Sequence, residues 1–318
     1  MLRLSELKLP LDHSEADLAA AVLRRLRLAP DQLLGLRLVK RSVDARKSAA
    51  ITLVYSLDLD LDLDARAEAR LLKRFAGDPH LRPSPDTTYH PVVSGANAGK
   101  MRPVVVGAGP CGYFAALLLA QMGFRPLLLE RGKAIKQRSA DTFGFWKGSA
   151  DFNPESNAQF GEGGAGTFSD GKLYSQVSEA KPYVRKVLEE LVAAGANPDI
   201  LTLHHPHIGT YKLATVVRGL RQRIEALGGE VRFECRVDGL ELNPVDRSIR
   251  GLQLDSGERI AATQVVLALG HSARDSFEML KTAGVAMQPK PFAVGLRIEH
   301  PQSLIDRARW GQAAGHPR

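Results

Sequence analysis

Residues 103–130 read PVVVGAGPCGYFAALLLAQMGFRPLLLE and hold a short β-branched strand, a glycine turn, an apolar helix and a second apolar strand. This is the order of elements in a dinucleotide-binding βαβ unit. Gly107 permits the tight turn, Gly109 lets the backbone approach a pyrophosphate, and Gly112 lets the helix pack closely on the strand. The first amides of the helix that begins at Pro110 then face the phosphates, where the helix dipole also favours negative charge.

Glu130 ends the second strand, 23 residues beyond Gly107. A carboxylate near this spacing hydrogen-bonds the 2′-hydroxyl of a ribose and repels a 2′-phosphate. We therefore predict a cofactor with an unphosphorylated adenosine ribose, FAD or NAD rather than NADP. The small side chain of Cys111 within the turn is interpreted as a fit to the close phosphate approach, and not as a redox centre.

A second glycine-rich loop follows in residues 153–174, NPESNAQFGEGGAGTFSDGKLY, with five glycines between Gly161 and Gly171. Such a loop can cradle a pyrophosphate or a flavin ring with backbone amides. Ser169 or Lys172 would then reach the polar edge of the ring. The loop favours FAD because it has no assigned task in a simple NAD dehydrogenase, and an NAD-binding dehydrogenase without flavin is kept as the alternative.

Periodicity predicts the remaining elements of this part of the chain. A helix is expected at residues 211–227, and residues 264–269 read as a buried parallel strand that ends at Gly270, at the cofactor edge of the sheet. Between them, strands are predicted at residues 230–237, 239–242, 249–254 and 258–261. The fold class is therefore α/β, with a Rossmann-like FAD-binding domain that carries a β-meander and inserted segments.

A small α+β domain is predicted before the glycine turn. Ser14 followed by Asp17 forms a capping pattern at the start of a helix over residues 14–28. Strands are predicted at residues 3–9, 32–40 and 50–64. The Pro-, Gly- and Ser-rich stretch 77–102 reads as a linker. The predicted domains are residues 1–98, 99–275 with a helical insertion at about 181–229, and 276–318 as the start of a substrate domain.

The repeat LDLDLDLD at residues 57–64 alternates strictly, so its leucines share one face of a strand and its aspartates the other. Alternate positions on a strand lie about 7 Å apart, and these carboxylates therefore do not converge on one metal ion. We interpret the aspartate row as a solvated face formed by Asp58, Asp60, Asp62 and Asp64.

Composition restricts the class of protein. The formal net charge is +8, but Lys and Arg are spread along the chain, which favours a solvated basic surface. The basic residues between 37 and 47 lack interleaved aromatics or a nucleic-acid motif, so nucleic-acid binding is not expected. No apolar stretch approaches the roughly 20 residues of a membrane span. Two cysteines and no secretory signal favour the cytoplasm.

Six stretches resemble the bacterial FAD-dependent dehydrogenases of poorly known function, which share the two-dinucleotide-binding-domain fold of flavoproteins similar to glutathione reductase. The stretches are VVVGAGPCGYFAALLLAQMGF, LLLERGK, NPESNAQFGEGGAGTFSDGKLYSQV, GGEVRFECRVDGLEL, VVLALGHSARDSFEML and KPFAVGLRIEHPQSLIDRARWG. The resemblance implies an FAD-dependent oxidoreductase with an unidentified small-molecule substrate. Because the chain holds one dinucleotide fingerprint, NAD(P)H would visit only transiently as electron donor.

The resemblance also implies roles for individual residues. Glu130 would hold the adenosine ribose, Arg131 would flank the ribose and adenine, Val237 would present its backbone to the adenine, and Gly270 would lie beside the cofactor. The FAD pyrophosphate would meet the turn formed by Gly107, Ala108, Gly109, Pro110, Cys111 and Gly112. The flavin-proximal side would be formed by Gly163, Gly164, Thr167, Ser169 and Lys172.

One feature of similar flavoproteins is not found after Gly270, namely a late strand ending in Gly-Asp that holds the ribityl chain. This difference predicts a fragment without the flavin seat and most of the substrate domain. No catalytic residue is predicted. His271, Arg274 and Asp275 follow the cofactor-facing strand, and the histidines of HHPHIG at residues 204–209 are interpreted as structural or polar-surface residues. A third hypothesis is a non-catalytic nucleotide-binding protein with an N-terminal partner- or RNA-binding module.

Overall fold

The computed structural model describes residues 1–47, 50–91, 101–173, 177, 182–296 and 298–316. The predicted domain boundary between residues 98 and 99 lies outside the described residues, as does the part of the predicted linker at 92–100. Within the described ranges, no helix is long and apolar enough to cross a lipid bilayer.

The N-terminal unit is a four-stranded antiparallel sheet with two helices. In chain order its elements are β1 (Leu2–Pro10), α1 (Glu15–Leu26), β2 (Leu33–Asp44), β3 (Thr52–Leu61), α2 (Ala65–Arg74) and β4 (Leu81–Pro83). The strand order β2-β3-β1-β4 is that of the ferredoxin-like βαββαβ arrangement. The predicted strands and first helix are confirmed, and Ser14 and Asp17 form the expected capping box. Helix α2 and strand β4 were not predicted.

The core of the N-terminal unit lies on one face of its sheet. Leu57 and Leu59, from the LDLDLDLD repeat, are almost fully buried together with Leu2 and Leu4 of β1 and Leu26 of α1. The predicted leucine face is therefore confirmed, because side chains alternate across a strand and the helices cover this face.

The interpretation of the whole aspartate row as solvated is wrong for Asp58. Asp60, Asp62 and Asp64 are exposed, but Asp58 has no exposed surface. Arg3 Nε donates to Asp58 Oδ1 at 2.8 Å, and Arg37 Nη2 donates to Oδ2 at 2.5 Å. Ser84 Oγ also donates to Oδ1 at 2.6 Å. Burial alone raises the pKa of Asp58, but hydrogen bonds from Arg3, Ser84 and Arg37 outweigh burial and bring the pKa to about 2.

Asp58→Asn is expected to destabilise the protein by about 3 kcal/mol at neutral pH, because a neutral amide leaves two arginines beside a buried site without their anion. A carboxylate with a lowered pKa stabilises the fold above its unfolded pKa and loses that contribution as the pH falls. Thermal unfolding of the wild type should therefore weaken between pH 4 and pH 2 more steeply than that of the variant. Asp60→Asn, on the same strand but exposed, serves as the control and should follow the wild type; equal stability of both variants would contradict the assignment.

The second part of the chain contains the predicted Rossmann-like arrangement. Its elements are β5 (Val104–Val106), α3 (Pro110–Gln121), β6 (Leu127–Leu129), α4 (Ile135–Trp146), α5 (Pro182–Ala193), α6 (Thr210–Ala226), β7 (Glu230–Arg232), β8 (Val237–Leu242), β9 (Ile249–Leu254), β10 (Arg259–Ala261), β11 (Val265–Leu267), α7 (Arg274–Thr282) and α8 (Gln302–Trp310). Strands β11-β5-β6-β7 form a parallel sheet in that order, and β10-β9-β8 form an antiparallel meander. The predicted α/β fold with its β-meander is confirmed.

The parallel sheet lies between two layers. On one face Val105 and Leu128 pack with Leu117 of α3 and Leu220 and Ile224 of α6. On the other face the remaining side chains of β5 and β6 pack against the meander, through Val104, Val106, Leu127, Leu129, Val237, Leu252 and Leu254. Burial on both faces explains why these short strands read as continuous apolar runs instead of alternating patterns.

Candidate functional site

A cleft of about 520 Å³ lies at the carboxyl ends of β5, β6 and β11. From β5 the chain adds β6 and β7 on one side of the sheet, and it later adds β11 on the other side of β5. Open α/β sheets bind ligands at such a point, where the direction of strand addition changes. Nine of the predicted cofactor residues line this cleft: Gly107, Gly109, Pro110, Cys111, Glu130, Arg131, Gly164, Val237 and Gly270. The structure thus brings together residues that lie up to 163 positions apart in the sequence.

The glycines of the turn are required for two different reasons. A Cβ on Gly107, whose φ is 103°, would lie 2.4 Å from Ala268 O, and a Cβ on Gly112 would lie 1.8 Å from Gly107 O. Packing within the protein therefore demands glycine at both positions. Gly109 differs, because the nearest atom to its Cβ position is Gly164 Cα at 3.8 Å, an ordinary contact. The protein alone does not explain glycine there.

Helix α3 begins at the cleft without a side-chain cap. Its N-cap residue is Gly109, which has no side chain to accept a hydrogen bond, and Pro110 has no amide hydrogen. The first-turn amides of a helix have no acceptor within the helix, and they carry the positive end of its dipole. With Cys111 lining the cleft, this end of α3 can hold an anion there.

Glu130 joins three backbone segments. Its Oε2 accepts a hydrogen bond from Ala108 N at 2.7 Å, and its Oε1 accepts from Gly132 N and Gly161 N, both at 2.9 Å. The side chain is buried and still lines the cleft. Because each carboxylate oxygen can accept two hydrogen bonds, Oε2 retains the capacity for one further donor, such as a ribose hydroxyl.

The second glycine loop packs against the first. Gly163 N donates to Ala108 O at 2.8 Å, and a Cβ on Gly164 would lie 2.8 Å from Gly109 Cα. Gly164 lines the cleft together with Ala165 and Gly166. Gln159, Phe160 and Gly161 of the same loop also line the cleft, so two short stretches of the loop contribute to it.

The other predicted loop residues have structural partners. Thr167 is buried and Ser169 Oγ donates to Gly166 O at 2.8 Å. Lys172 pairs through its backbone with His207. None of these three, nor Ala108, Gly112 or Gly163, is among the lining residues of the cleft. The prediction that Ser169 or Lys172 reaches a flavin ring has no support from their positions here.

Arg138, on α4, organises this loop and was not singled out from the sequence. Its side chain is fully buried and donates to three backbone carbonyls: Asn157 O at 2.9 Å, Ala158 O at 3.0 Å and Glu162 O at 2.7 Å. Burial lowers the pKa of Arg138 to about 10, against the charges of Glu130 and Glu162, which raise it. The residue in the sequence that comes nearest to indicating the buried Arg138 is Gly161. A Cβ at position 161 would lie 2.4 Å from Arg138 Cδ, so the arginine requires glycine there.

Glu162 is a second buried charge that the sequence did not reveal. Tyr113 Oη donates to Glu162 Oε1 at 2.8 Å, Ile135 N donates to Oε2 at 2.5 Å, and Arg221 Nε lies 3.0 Å from Oε1. Burial, followed by the charge of Glu162, raises the pKa of Tyr113 well above its usual value. Tyr113 therefore stays neutral and ties α3 to the loop.

An ion-pair network crosses the rim of the cleft. Arg131 Nε donates to Glu155 at 2.7 Å, and its terminal nitrogens donate to Asp275 at 2.9 and 2.8 Å. The guanidinium lies 4.2 Å from the centre of the Phe160 ring. Arg236 Nη1 donates to Glu155 at 3.0 Å. The hydrogen bond from Arg131 is the main reason why the pKa of Asp275 is lowered. Arg131 thus lines the cleft and is already paired with carboxylates, and its contact with a ribose and adenine stays a prediction.

The histidines divide between the cleft and another region. His271 lines the cleft after Gly270, and Arg274 begins α7. His204 and His205 are not among the cleft residues, and their rings stack with centroids 3.8 Å apart. Among the residues that the structure describes, no group of three His, Cys, Asp or Glu side chains is arranged to hold a metal ion.

Comparison with protein families assigns two parts of the chain. Residues 172–308 match the model of a family described as FAD dependent oxidoreductase. Over these residues the chain is similar to the FAD-dependent oxidoreductases. This match covers the strands of the meander and the part of the cleft formed by residues 235–237 and 267–280. Residues 1–60, within the N-terminal unit, match a domain family of unknown function.

Curated relatives of the chain are longer than the chain itself. An uncharacterized protein of Clostridium beijerinckii is 38% identical over 317 residues, which is all of this chain and 57% of the relative. Protein FixC of Escherichia coli O157:H7 is 26% identical over 227 residues, 64% of this chain and 44% of the relative. The chain thus spans about half the length of the curated relatives it matches.

Two solved structures that resemble part of the chain share little sequence with it. THI4 of Thermovibrio ammonificans is 18% identical and matches with a TM-score of 0.39, over 58% of this chain and 63% of that chain. The structure of OTEMO in complex with FAD and NADP is 17% identical, with a TM-score of 0.32, over 57% of this chain and 26% of that chain.

Proposed function

We propose that the cleft binds the ADP half of FAD and that the protein is an FAD-dependent oxidoreductase acting on an unidentified small molecule. The observation that carries the proposal is the position of Gly109 and the uncapped start of α3 beside Glu130. The match of residues 172–308 to an FAD-dependent oxidoreductase family supports it. The pyrophosphate would lie against the first turn of α3, and a ribose hydroxyl would donate to Glu130 Oε2.

The adenine would lie toward the start of β8. Cys235, Arg236 and Val237 line that side of the cleft, and Arg131 stacked on Phe160 closes its rim. Burial raises the pKa of Cys235, more than the nearby Arg232 lowers it, so this thiol is poorly suited to be a thiolate nucleophile. The residues present fit a nucleotide through backbone amides, one carboxylate and apolar walls.

When bound, FAD supplies two-electron redox chemistry, and the protein contributes binding and orientation. The first-turn amides of α3 hold negative charge, and the buried Glu130 selects an unphosphorylated ribose. Arg131 does not offer an unpaired cation for a 2′-phosphate, because Glu155 and Asp275 both bind it. We also propose that NAD(P)H binds transiently as the electron donor and that the protein is located in the cytoplasm.

Gly109→Ala tests the pyrophosphate site. The protein has room for the added methyl group, so the unfolding temperature should stay that of the wild type. The methyl group would nevertheless stand where the diphosphate approaches, and FAD affinity should fall at least about tenfold, the equivalent of 1.4 kcal/mol. Flavin fluorescence titration measures the affinity, and thermal unfolding measures the stability.

Gly77→Ala is the matched control, because nothing lies within 4 Å of its Cβ position and the residue is not among those that line the cleft. It should leave both measurements unchanged. Unaltered FAD affinity in Gly109→Ala would overturn the pyrophosphate assignment. A chain stabilised against heat by NAD and not by FAD would instead support a dehydrogenase without flavin.

A further inference from the structure

A second cavity, of about 440 Å³, lies between the sheet of the N-terminal unit and the segment formed by α5 and residues 200–206. It shares no lining residue with the cleft at α3. Its two walls are joined through the backbone, because Arg41 N donates to Thr202 O at 2.7 Å and His204 N donates to Arg41 O at 3.0 Å. Backbone hydrogen bonds between the two parts of the chain therefore hold the walls of the cavity in place.

One side of the cavity is cationic. Asp58 is held between Arg3 and Arg37, and with the carboxylate ionised these three side chains carry a net charge of +1. The Arg37 side chain is 68% exposed, and of its guanidinium nitrogens only Nη2 has a hydrogen-bond partner among the described residues. The guanidinium fork therefore keeps donors for an anion, in the planar geometry that suits a carboxylate or phosphate.

The opposite side of the cavity carries an apolar patch beside polar residues that include Thr202, His204 and His205. Leu188 of α5, Ile200 and Leu201 form the apolar patch. The cation on this wall, Arg185, is neutralised locally, because its Nε donates to Glu189 at 2.7 Å and its Nη1 donates to Leu201 O at 3.3 Å. The wall at Arg37 thus carries a net positive charge, and the wall at α5 offers an apolar patch and a neutralised ion pair.

We propose that this cavity binds a small organic anion, with its carboxylate or phosphate at Arg37 and its apolar body against Leu188 and Leu201. Volumes of 300–1,000 Å³ are those of small-molecule sites, which favour the interfaces between structural units. The site would give the N-terminal unit a ligand-binding task separate from the nucleotide cleft.

Octanoate is the probe for a carboxylate, and octyl phosphate is the probe for a phosphate. Octanamide is the neutral control with the same chain length as octanoate. Isothermal titration calorimetry on the full chain, with FAD present in excess, should show octanoate or octyl phosphate binding at least tenfold more tightly than octanamide. Arg37→Met should weaken binding of the anion at least tenfold. Arg259→Met, which alters an arginine that is also exposed and paired with one carboxylate, should change it less than twofold.

Leu188→Asn tests the apolar wall independently of the arginine and should also weaken binding of both eight-carbon anions. The proposal is overturned if neither anion binds at millimolar concentration, if octanamide binds as tightly, or if Arg37→Met binds like the wild type. It is also overturned if FAD competes with the probe, because the probe would then occupy the nucleotide cleft. Thermal unfolding of each variant confirms that it is folded at the titration temperature.

Discussion

Gly112→Ala is expected to destabilise the protein by about 3 kcal/mol or more and to abolish FAD binding. A methyl group at this position would lie 1.8 Å from Gly107 O and 3.0 Å from Gly107 C, both backbone atoms of the turn. A backbone oxygen cannot rotate away as a side chain can, so either α3 or the turn must move. Urea unfolding measures the loss of stability, and flavin fluorescence measures the loss of FAD.

The control for this prediction is Gly166→Ala, on the second glycine loop. The nearest atom to its Cβ position is Pro110 Cγ at 3.7 Å, an ordinary contact, and urea unfolding should remain close to that of the wild type. The contrast separates a general intolerance of alanine near the cleft from the specific contact of α3 with the turn. An unfolding midpoint for Gly112→Ala equal to that of the wild type would show that the close approach is wrong.

The parallel sheet could be predicted because its signals are local. Gly107, Gly109 and Gly112 occur in the fixed order of a strand-to-helix turn, and the apolar runs at β5 and β6 are those of strands buried on both faces. The capping pair of Ser14 and Asp17 has the same local character. Such features depend on backbone geometry within a few residues, which the sequence reports directly.

Helix α2 was missed although it carries a local signal. Asp64 accepts a hydrogen bond from Ala67 N at 2.7 Å and caps the helix, but the sequence pattern assigned Asp64 to the preceding strand. The strict alternation of LDLDLDLD continues to residue 64, whereas β3 ends at residue 61. Alternation alone does not tell where a strand stops when the next residues are helix formers.

The buried charges could not be predicted, because their partners are distant in sequence. Asp58 depends on Arg3, 55 residues earlier, and on Ser84, 26 residues later. Alternation shows that Asp58 lies on the face opposite the leucines, but not that other parts of the chain cover that face. Arg138 has the same difficulty, since its acceptors are carbonyl groups of a loop that no residue type identifies.

Glu130 has both a local sequence signal and partners that the sequence does not indicate, and its substitution is the second change for which we expect a large effect. Its position after β6 was predicted from spacing, but its three amide donors come from positions 108, 132 and 161. Glu130→Gln keeps the shape of the side chain and replaces one acceptor oxygen with an NH₂ group. At least one buried amide would then face another donor, and the remaining bonds would lose the strength that the negative charge gives them.

We expect Glu130→Gln to lower the free energy of unfolding by about 3 kcal/mol, with FAD affinity reduced in the folded fraction as well. Glu155→Gln is the matched control, because Glu155 is partly exposed at the rim, where an ion pair contributes about 1 kcal/mol or less. Urea unfolding and flavin titration should both show a larger loss for Glu130→Gln than for Glu155→Gln. If Glu130→Gln retained wild-type stability but lost FAD, the carboxylate would serve the ribose alone. If it lost stability but bound FAD normally once folded, Glu130 would act only on the backbone, and the ribose contact would be wrong.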